Sequence, residues 1–245
     1  MNEHVRQKLI ALNKDFYRRF AASFSDTRFA PQPGYTRIIR YVPPSCHVLD
    51  LGCGNARFAH FLDQHVEHAT YLGVDVSPEL ITLARASVDR LQRVTPTFLI
   101  LDLSQPDWAH MLPQRHFHLV VAFAVIHHIP DFEYRAAFLQ GMARLVREDG
   151  YIVLSTWRFL HSERMRRKIV PWDRVGLSAE DVDEHDYLMD WKRDGVGYRY
   201  VHYVSEAEMD ILARRAGLSI VEQFYSDGRE GDLSLYTVCQ LAGGT

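Results

Sequence analysis

Cysteine is scarce in this chain, and the scarcity closes off two kinds of architecture. Cys46, Cys53 and Cys239 are odd in number and form no Cys-x-x-Cys pair, which speaks against a disulfide framework and against a cysteine zinc site. The sequence holds 13 histidines but no His-Glu-x-x-His helix, so no metal site is expected. No apolar run approaches the roughly 20 residues of a membrane span. The first residues, Met1-Asn2-Glu3-His4-Val5, lack the apolar core of a signal peptide, and a cytoplasmic protein with no membrane partner is expected. No internal repeat, low-complexity tract or linker divides the chain into independent domains. The formal net charge of −3 argues against a nucleic-acid binder that works through uniform surface charge. Local charge runs exist all the same. Arg164, Arg166, Arg167 and Lys168 form a basic one, and Glu180, Asp181, Asp183, Glu184 and Asp186 an acidic one. Taken alone, each reads as a solvated face.

The 245 residues, 47% hydrophobic and 24% charged, suit one large α/β domain with an insertion. Val5, Leu9, Leu12, Phe16 and Phe20 recur at steps of four and three, which predicts an amphipathic helix at the N-terminus. A loop at Pro31-Gln32-Pro33-Gly34 leads to a short helix over 35–42, stopped by Pro43-Pro44. Strands are then predicted at 47–51, 70–74, 97–101, 117–123 and 151–156, alternating with helices at 56–64, 78–91 and 132–145 and a short one near Trp108. Such alternation implies a parallel sheet with helices on both faces. The rhythm breaks over 158–204, a long, charged, aromatic insertion without clear periodicity. A helix capped by Ser205 and two closing strands at 219–225 and 233–240 complete the chain. The expected organisation is therefore a single domain: a helical lid (1–45), a cofactor-binding core (46–157), a substrate-side insertion (158–204) and a final helix with closing strands (205–245).

The segment Val48-Leu49-Asp50-Leu51-Gly52-Cys53-Gly54-Asn55-Ala56 carries the chemistry. An apolar run ends in an acid and opens into a glycine-bracketed turn, where Gly52 and Gly54 can expose bare backbone to a ligand. The dinucleotide pattern Gly-x-Gly-x-x-Gly fails, because Arg57 stands where the third glycine belongs. Asp50, two residues before the first glycine, would repel a pyrophosphate but suits the aminoacyl half of S-adenosylmethionine. Asp75, in Gly73-Val74-Asp75-Val76-Ser77, can accept from both ribose hydroxyls. Asp102, in Leu101-Asp102-Leu103, can accept from the adenine amino group, and Val76 and Leu103 are counted in the same site. Each acid alone reads equally well as a turn or cap residue; together with the glycine turn they form a coherent site.

From about Cys46 to Thr156 the chain resembles the class I S-adenosylmethionine-dependent methyltransferases. The resemblance implies a Rossmann-like seven-stranded sheet whose last strand is antiparallel, and Ala122 and Phe123 at the methionine and sulfonium end of the cofactor. The flanks are similar to the tRNA wobble-uridine carboxymethyl methyltransferases: Tyr17, Phe24-Ser25-x-Thr27-Arg28, Pro31-x-Pro33, Val125-Ile126-His127-His128, Val170-Pro171-Trp172 and Arg199-Tyr200-Val201-His202. That family esterifies the carboxylate of a 5-carboxymethyluridine in the anticodon loop, and its eukaryotic members work with a small zinc-binding activator protein. The chain departs from the family pattern at Gln32, Ala56-Arg57, Ile129 and Glu148-Asp149.

A carboxylate acceptor needs cations rather than a base, and Arg28, Arg199 and His202 are the candidates. A hydroxyl or amine acceptor would need a base, for which His127 or His128 is available. Tyr17 and Arg28, beside the proline-rich hinge, are expected to close over the cofactor. Trp172, Tyr198, Tyr200 and Tyr203 could stack bases or wall in an apolar molecule. Three readings follow: a methyltransferase acting on tRNA, one acting on a small molecule enclosed by the insertion, or a non-catalytic protein keeping the fold.

Overall fold

The computed structural model describes residues 1–28, 30–112 and 117–243; Phe29, beside Arg28, falls outside them. Helix α1 (Glu3–Ser25) buries Val5, Leu9, Phe16 and Phe20 on one face, as the spacing predicts. Asn2 caps it by accepting from the Val5 N–H at 2.9 Å. The short α2 (Gly34–Ile38) runs on into a 3-10 turn. Then β1 (Ser45–Leu51), α3 (Arg57–Asp63), β2 (His68–Asp75), α4 (Pro78–Ser87), β3 (Val94–Ile100), β4 (Phe117–Phe123), α5 (Phe132–Leu145) and β5 (Val146–Trp157) alternate in the expected order. Ser77 caps α4 through the Leu80 N–H at 3.2 Å. That helix stops four residues short of the predicted end, where the Ser87 hydroxyl donates back to the Ala84 carbonyl at 2.9 Å, a local bond that competes with helix continuation.

The insertion is more ordered than its sequence suggests. It contains α6 (Glu163–Arg166) and a separate antiparallel sheet of β6 (Ile169–Val170), β7 (Asp186–Trp191) and β8 (Gly197–His202). Five of six residues are buried in each of the two longer strands. Asp186, Asp190, Arg199 and His202 are among them, so no alternation of polar and apolar residues marks these strands. Finally α7 (Glu206–Arg215), β9 (Leu218–Ser226) and β10 (Ser234–Leu241) close the chain.

The main sheet has the order β3-β2-β1-β4-β5-β10-β9. Strands β1 to β5 are parallel and β10 runs antiparallel to both of its neighbours, which is the seven-stranded architecture implied by the resemblance. Successive residues feed opposite cores: Val120 and Leu154 pack with Leu139 of α5 and Leu212 of α7, while Val121 and Val153 pack with Phe58 and Leu62 of α3. The strand order reverses at β1, between β2 and β4, and the crevice beyond its carboxyl end is where such sheets bind ligands.

A buried charge network ties the insertion to the core. His202 Nδ1 meets Asp186 Oδ1 at 2.7 Å and its Nε2 meets Glu208 Oε2 at 2.8 Å; Arg135 of α5 also holds Glu208, at 2.9 Å. Burial alone would lower the His202 pKa, but the hydrogen bonds to Asp186 and Glu208 outweigh it and raise the value above 6.5. A folded-state pKa above the unfolded one contributes stability that is complete below the unfolded value and is lost as pH rises through the folded value. The stabilisation supplied by His202 is therefore expected to decline on going from pH 6 to pH 9, against the opposite trend of the buried, neutral His127 and His128. His202→Gln should be less stable by about 3 kcal/mol at pH 6 and should lose this alkaline decline in a melting series. A mutant that keeps the decline would remove His202 as its source.

Candidate active site

A cavity of about 870 Å³ opens beyond the carboxyl ends of β1, β2 and β4, within the range of small-molecule sites. The glycine turn forms its floor. Gly52 (φ +73°) has no room for a Cβ, which would stand 2.4 Å from the Val125 side chain, whereas a Cβ on Gly54 (φ +55°) would meet nothing within 4 Å. Asp50 is buried at the end of β1 and accepts from the Tyr71 hydroxyl at 2.5 Å. Burial pushes its carboxyl up to about 7 despite that bond, and a cationic ligand nearby would draw it back down. Asp75 accepts from Ser77 N–H at 3.0 Å on one oxygen and Gly54 N–H at 2.9 Å on the other. Each oxygen keeps a lone pair for a vicinal hydroxyl. Val76 and Leu103 line the same wall.

Asp102 is more heavily engaged than expected. Oδ1 accepts from the Ser104 amide at 3.0 Å and its hydroxyl at 2.6 Å. Oδ2 accepts from Lys14 Nζ at 2.6 Å and Gln105 Nε2 at 3.1 Å. An adenine amino group would have to replace one of these donors, and Lys14, on the half-exposed side of α1, is the one free to swing away.

The opposite wall is cationic and aromatic. Arg199, on β8, is 1% exposed, and its Nε and Nη1 have no hydrogen-bond partner. Its guanidinium lies 5.1, 4.6 and 5.9 Å from the rings of Phe16, Trp157 and Trp191. Trp191 Nε1 is likewise buried and unpartnered. Arg28 stacks on Phe24 at 3.5 Å and donates to the Phe24 carbonyl and the Thr27 hydroxyl at 3.2 and 2.6 Å; burial, then Arg199, pushes it down to about 9. Tyr17 donates to His128 Nε2 at 2.8 Å. The direction follows from His128 Nδ1, which faces the Tyr200 carbonyl at 3.0 Å and must carry the ring proton. Burial, then Arg199, lowers His128 to about 3, so the ring is neutral and its free nitrogen is occupied. Asn13 of α1 clamps this wall, donating to the His128 and Tyr200 carbonyls at 3.2 and 3.1 Å and accepting from the Tyr200 N–H at 2.8 Å.

Tyr17, Arg28, Asp50, Gly52, Gly54, Asp75, Val76, Asp102, Leu103 and Arg199 thus share one cavity. Three expected residues do not reach it. Ala122 faces the core with Val120 and Leu154, because side chains alternate along β4; Phe123 and Ala124 line the cavity instead. His127 is fully buried with both ring nitrogens unpartnered, wedged 4.9 Å from Trp157 and 4.4 Å from His128. Burial holds its pKa well below 6.5, so the ring is neutral and only weakly basic. His202 is held between Asp186 and Glu208, away from the cavity. Lys14, Asn13, Trp157, Lys168 and Trp191 also line the cavity, and no motif in the sequence marks them for it. Lys168 lay within the basic run read as a solvated face; nothing in the local sequence marks Trp191.

A buried guanidinium with unpaired donors destabilises the fold, and cation–π contacts worth about 2 kcal/mol when desolvated offset it in part. Arg199→Met should accordingly raise the unfolding free energy by about 1–3 kcal/mol in urea titrations. A less stable mutant would mean that the aromatic wall already satisfies this charge.

A family profile described as a methyltransferase domain matches residues 1–223. The chain is 26% identical over 241 residues to the tRNA (carboxymethyluridine(34)-5-O)-methyltransferase of Schizosaccharomyces pombe, covering 91% of this chain and 92% of that one. It is 30% identical over 255 residues to the tRNA (carboxymethyluridine(34)-5-O)-methyltransferase alkbh8 of Xenopus tropicalis, covering 86% of this chain but only 38% of the relative. Among solved structures, the DhpI–SAM–HEP complex superposes with a TM-score of 0.68 at 22% identity, covering 98% of this chain and 100% of that one. A SAM-dependent methyltransferase from Methanosarcina mazei superposes with a TM-score of 0.66 at 19% identity, covering 87% and 99%. The sheet order, the glycine turn and a match over most of its length place this chain in the methyltransferase domain family.

Proposed function

We propose that this methyltransferase, which draws its methyl group from S-adenosylmethionine, esterifies the carboxylate of a carboxymethyluridine in tRNA. The observation that carries the reading is a set of unpaired donors on one wall: Arg199 Nε and Nη1 and Trp191 Nε1 are buried without acceptors, and Arg28 stands on the same cavity. Such a wall calls for a ligand with several acceptor oxygens and a negative charge. An amine or hydroxyl acceptor would need a base. His128 cannot serve, because its proton affinity is depressed and Tyr17 occupies its free nitrogen; His127 lies outside the cavity. A carboxylate is ionised at neutral pH and needs none.

Asp75, with a lone pair left on each oxygen, is placed to hold the ribose hydroxyls, and the bare backbone at Gly52 and Gly54 to admit the aminoacyl end. When bound, the cofactor supplies an electrophilic methyl on a sulfonium. The protein's part is to hold the acceptor oxygen in line with it, a positioning effect worth up to roughly 7–11 kcal/mol. Arg164, Arg167, Lys192 and Arg193 also border the cavity, a rim suited to phosphates of a single-stranded loop. The names of the curated relatives point to the same acceptor.

Incubation of the full chain with labelled S-adenosylmethionine and tRNA bearing 5-carboxymethyluridine, with and without a candidate activator protein, should give a base-labile methyl ester on the RNA. Labelling of a small carboxylate but no RNA would favour the small-molecule reading. Asp75→Ala should weaken cofactor binding about 10- to 100-fold in calorimetry, since a buried acceptor of two hydroxyls is lost. Unchanged affinity in the folded mutant would refute the assignment.

A further inference from the structure

We propose that Arg28, Arg199 and Lys168 form a charge-reading subsite that grips the acceptor as a carboxylate and lets it go as the neutral methyl ester. The inference rests on the carboxylate acceptor proposed above and adds a residue, Lys168, and a mechanism of release.

The three cations line one cavity. Lys168 Nζ and the Arg199 guanidinium are 5.7 and 5.9 Å from the centroid of the same Trp191 ring. Among the described residues no carboxylate lies within 4.0 Å of any of the three. Two other well-buried arginines among the described residues are treated differently. Arg135 is paired with Glu208 at 2.9 Å and Arg6 with Asp131 at 2.7 Å. Of the acids on the same cavity, Asp190 pairs with the exposed Lys192 at 2.7 Å and offsets only part of the charge crowding at Lys168, and Asp227 accepts from the Gly34 amide at 3.0 Å and the Tyr236 hydroxyl at 2.9 Å. The cations also face one another. Beyond burial, Arg199 depresses the proton affinity of both Arg28 and Lys168. Like charges crowded in a poorly solvated cavity need an anion between them.

Methyl transfer removes that anion. A carboxylate oxygen forms a C–O bond, the C–S bond of the sulfonium breaks with its electron pair staying on sulfur, and no proton moves. The acceptor goes from one negative charge to none, while the three cations stay where they were. The ester and the isosteric carboxamide both present neutral oxygens to the subsite, so both should be held weakly. Discrimination against the amide and release of the product then have one cause.

The test uses the full chain saturated with S-adenosylhomocysteine and a labelled anticodon stem–loop. Its wobble uridine carries a 5-carboxymethyl, 5-methoxycarbonylmethyl or 5-carbamoylmethyl group, and binding is followed by fluorescence anisotropy. The acid should bind at least tenfold tighter than either neutral form, a gap of about 1.4 kcal/mol. Lys168→Met keeps the apolar stem and removes the charge. It should narrow that ratio about threefold or more, with the calorimetric affinity for S-adenosylhomocysteine unchanged as proof of folding. Equal affinities for the three RNAs, or a ratio untouched by Lys168→Met, would overturn the subsite while leaving the tRNA reading intact. If no RNA form binds but free 5-carboxymethyluridine binds in preference to its methyl ester, the tRNA reading fails and the subsite stands.

Discussion

A guanidinium buried without a counter-ion is the constraint around which the rest of this molecule is arranged. Withdrawing an ion from water costs several kcal/mol even after relaxation, and Arg199 is almost entirely withdrawn. Three aromatic rings from three different parts of the chain, Phe16, Trp157 and Trp191, surround it and return only part of that cost. Keeping these rings in place requires α1, the end of β5 and the small sheet of the insertion to meet at one point. The insertion therefore forms a wall of the cavity, and the buried Asp186–His202–Glu208–Arg135 network behind it ties it to α5 and α7.

Helix α1 links the two ends of the cavity. Within little more than one turn, Lys14 reaches Asp102 beside β3, Asn13 grips the backbone of β8 and the His128 carbonyl, and Tyr17 occupies His128. Phe20, at a kink in the same helix, lies so close to β8 that a Cβ on Gly197 would fall 2.3 Å from its ring. Any movement of α1 thus disturbs the Asp102 end and the cationic wall together, although they are contributed by segments far apart in the chain.

The seven-stranded sheet was legible because its signals are local. The ends of β1, β2 and β3 each carry an acid within a few residues, and predicted and observed strands differ only at their ends. The glycine-turn side of the cavity was legible for the same reason, since Asp50, Gly52, Gly54 and Asp75 stand at or just beyond the ends of β1 and β2. The cationic side was not. Trp191 and Lys168 acquire their role only when a two-faced buried sheet folds against α1. His202 and Arg199 look alike in sequence, three residues apart on one strand, yet one is neutralised by two carboxylates and the other by none. Their odd spacing on a strand puts them on opposite faces, but which face meets the cavity and which meets the carboxylates is set by contacts to α7 and α5 that the spacing does not record. The same holds for His127 and His128, adjacent residues of which one reaches the cavity and the other does not.

The distribution of charge has a kinetic consequence for the proposed acceptor. Cations that bind a carboxylate also stabilise its ground state, which lowers the nucleophilicity of the oxygens they touch. Joining an anion to a cationic centre, by contrast, disperses charge on the way to the transition state, and a poorly solvated cavity favours that dispersal. The two effects oppose each other. They are reconciled if the cations hold the oxygen that does not attack and leave the other facing the glycine turn. The geometry suits this division: Arg199 is locked against its aromatic wall and Arg28 against Phe24, while the opposite wall offers acids and bare backbone. Differential binding of the reacting and non-reacting oxygens, rather than the number of positive charges, is what would convert affinity for the acceptor into rate.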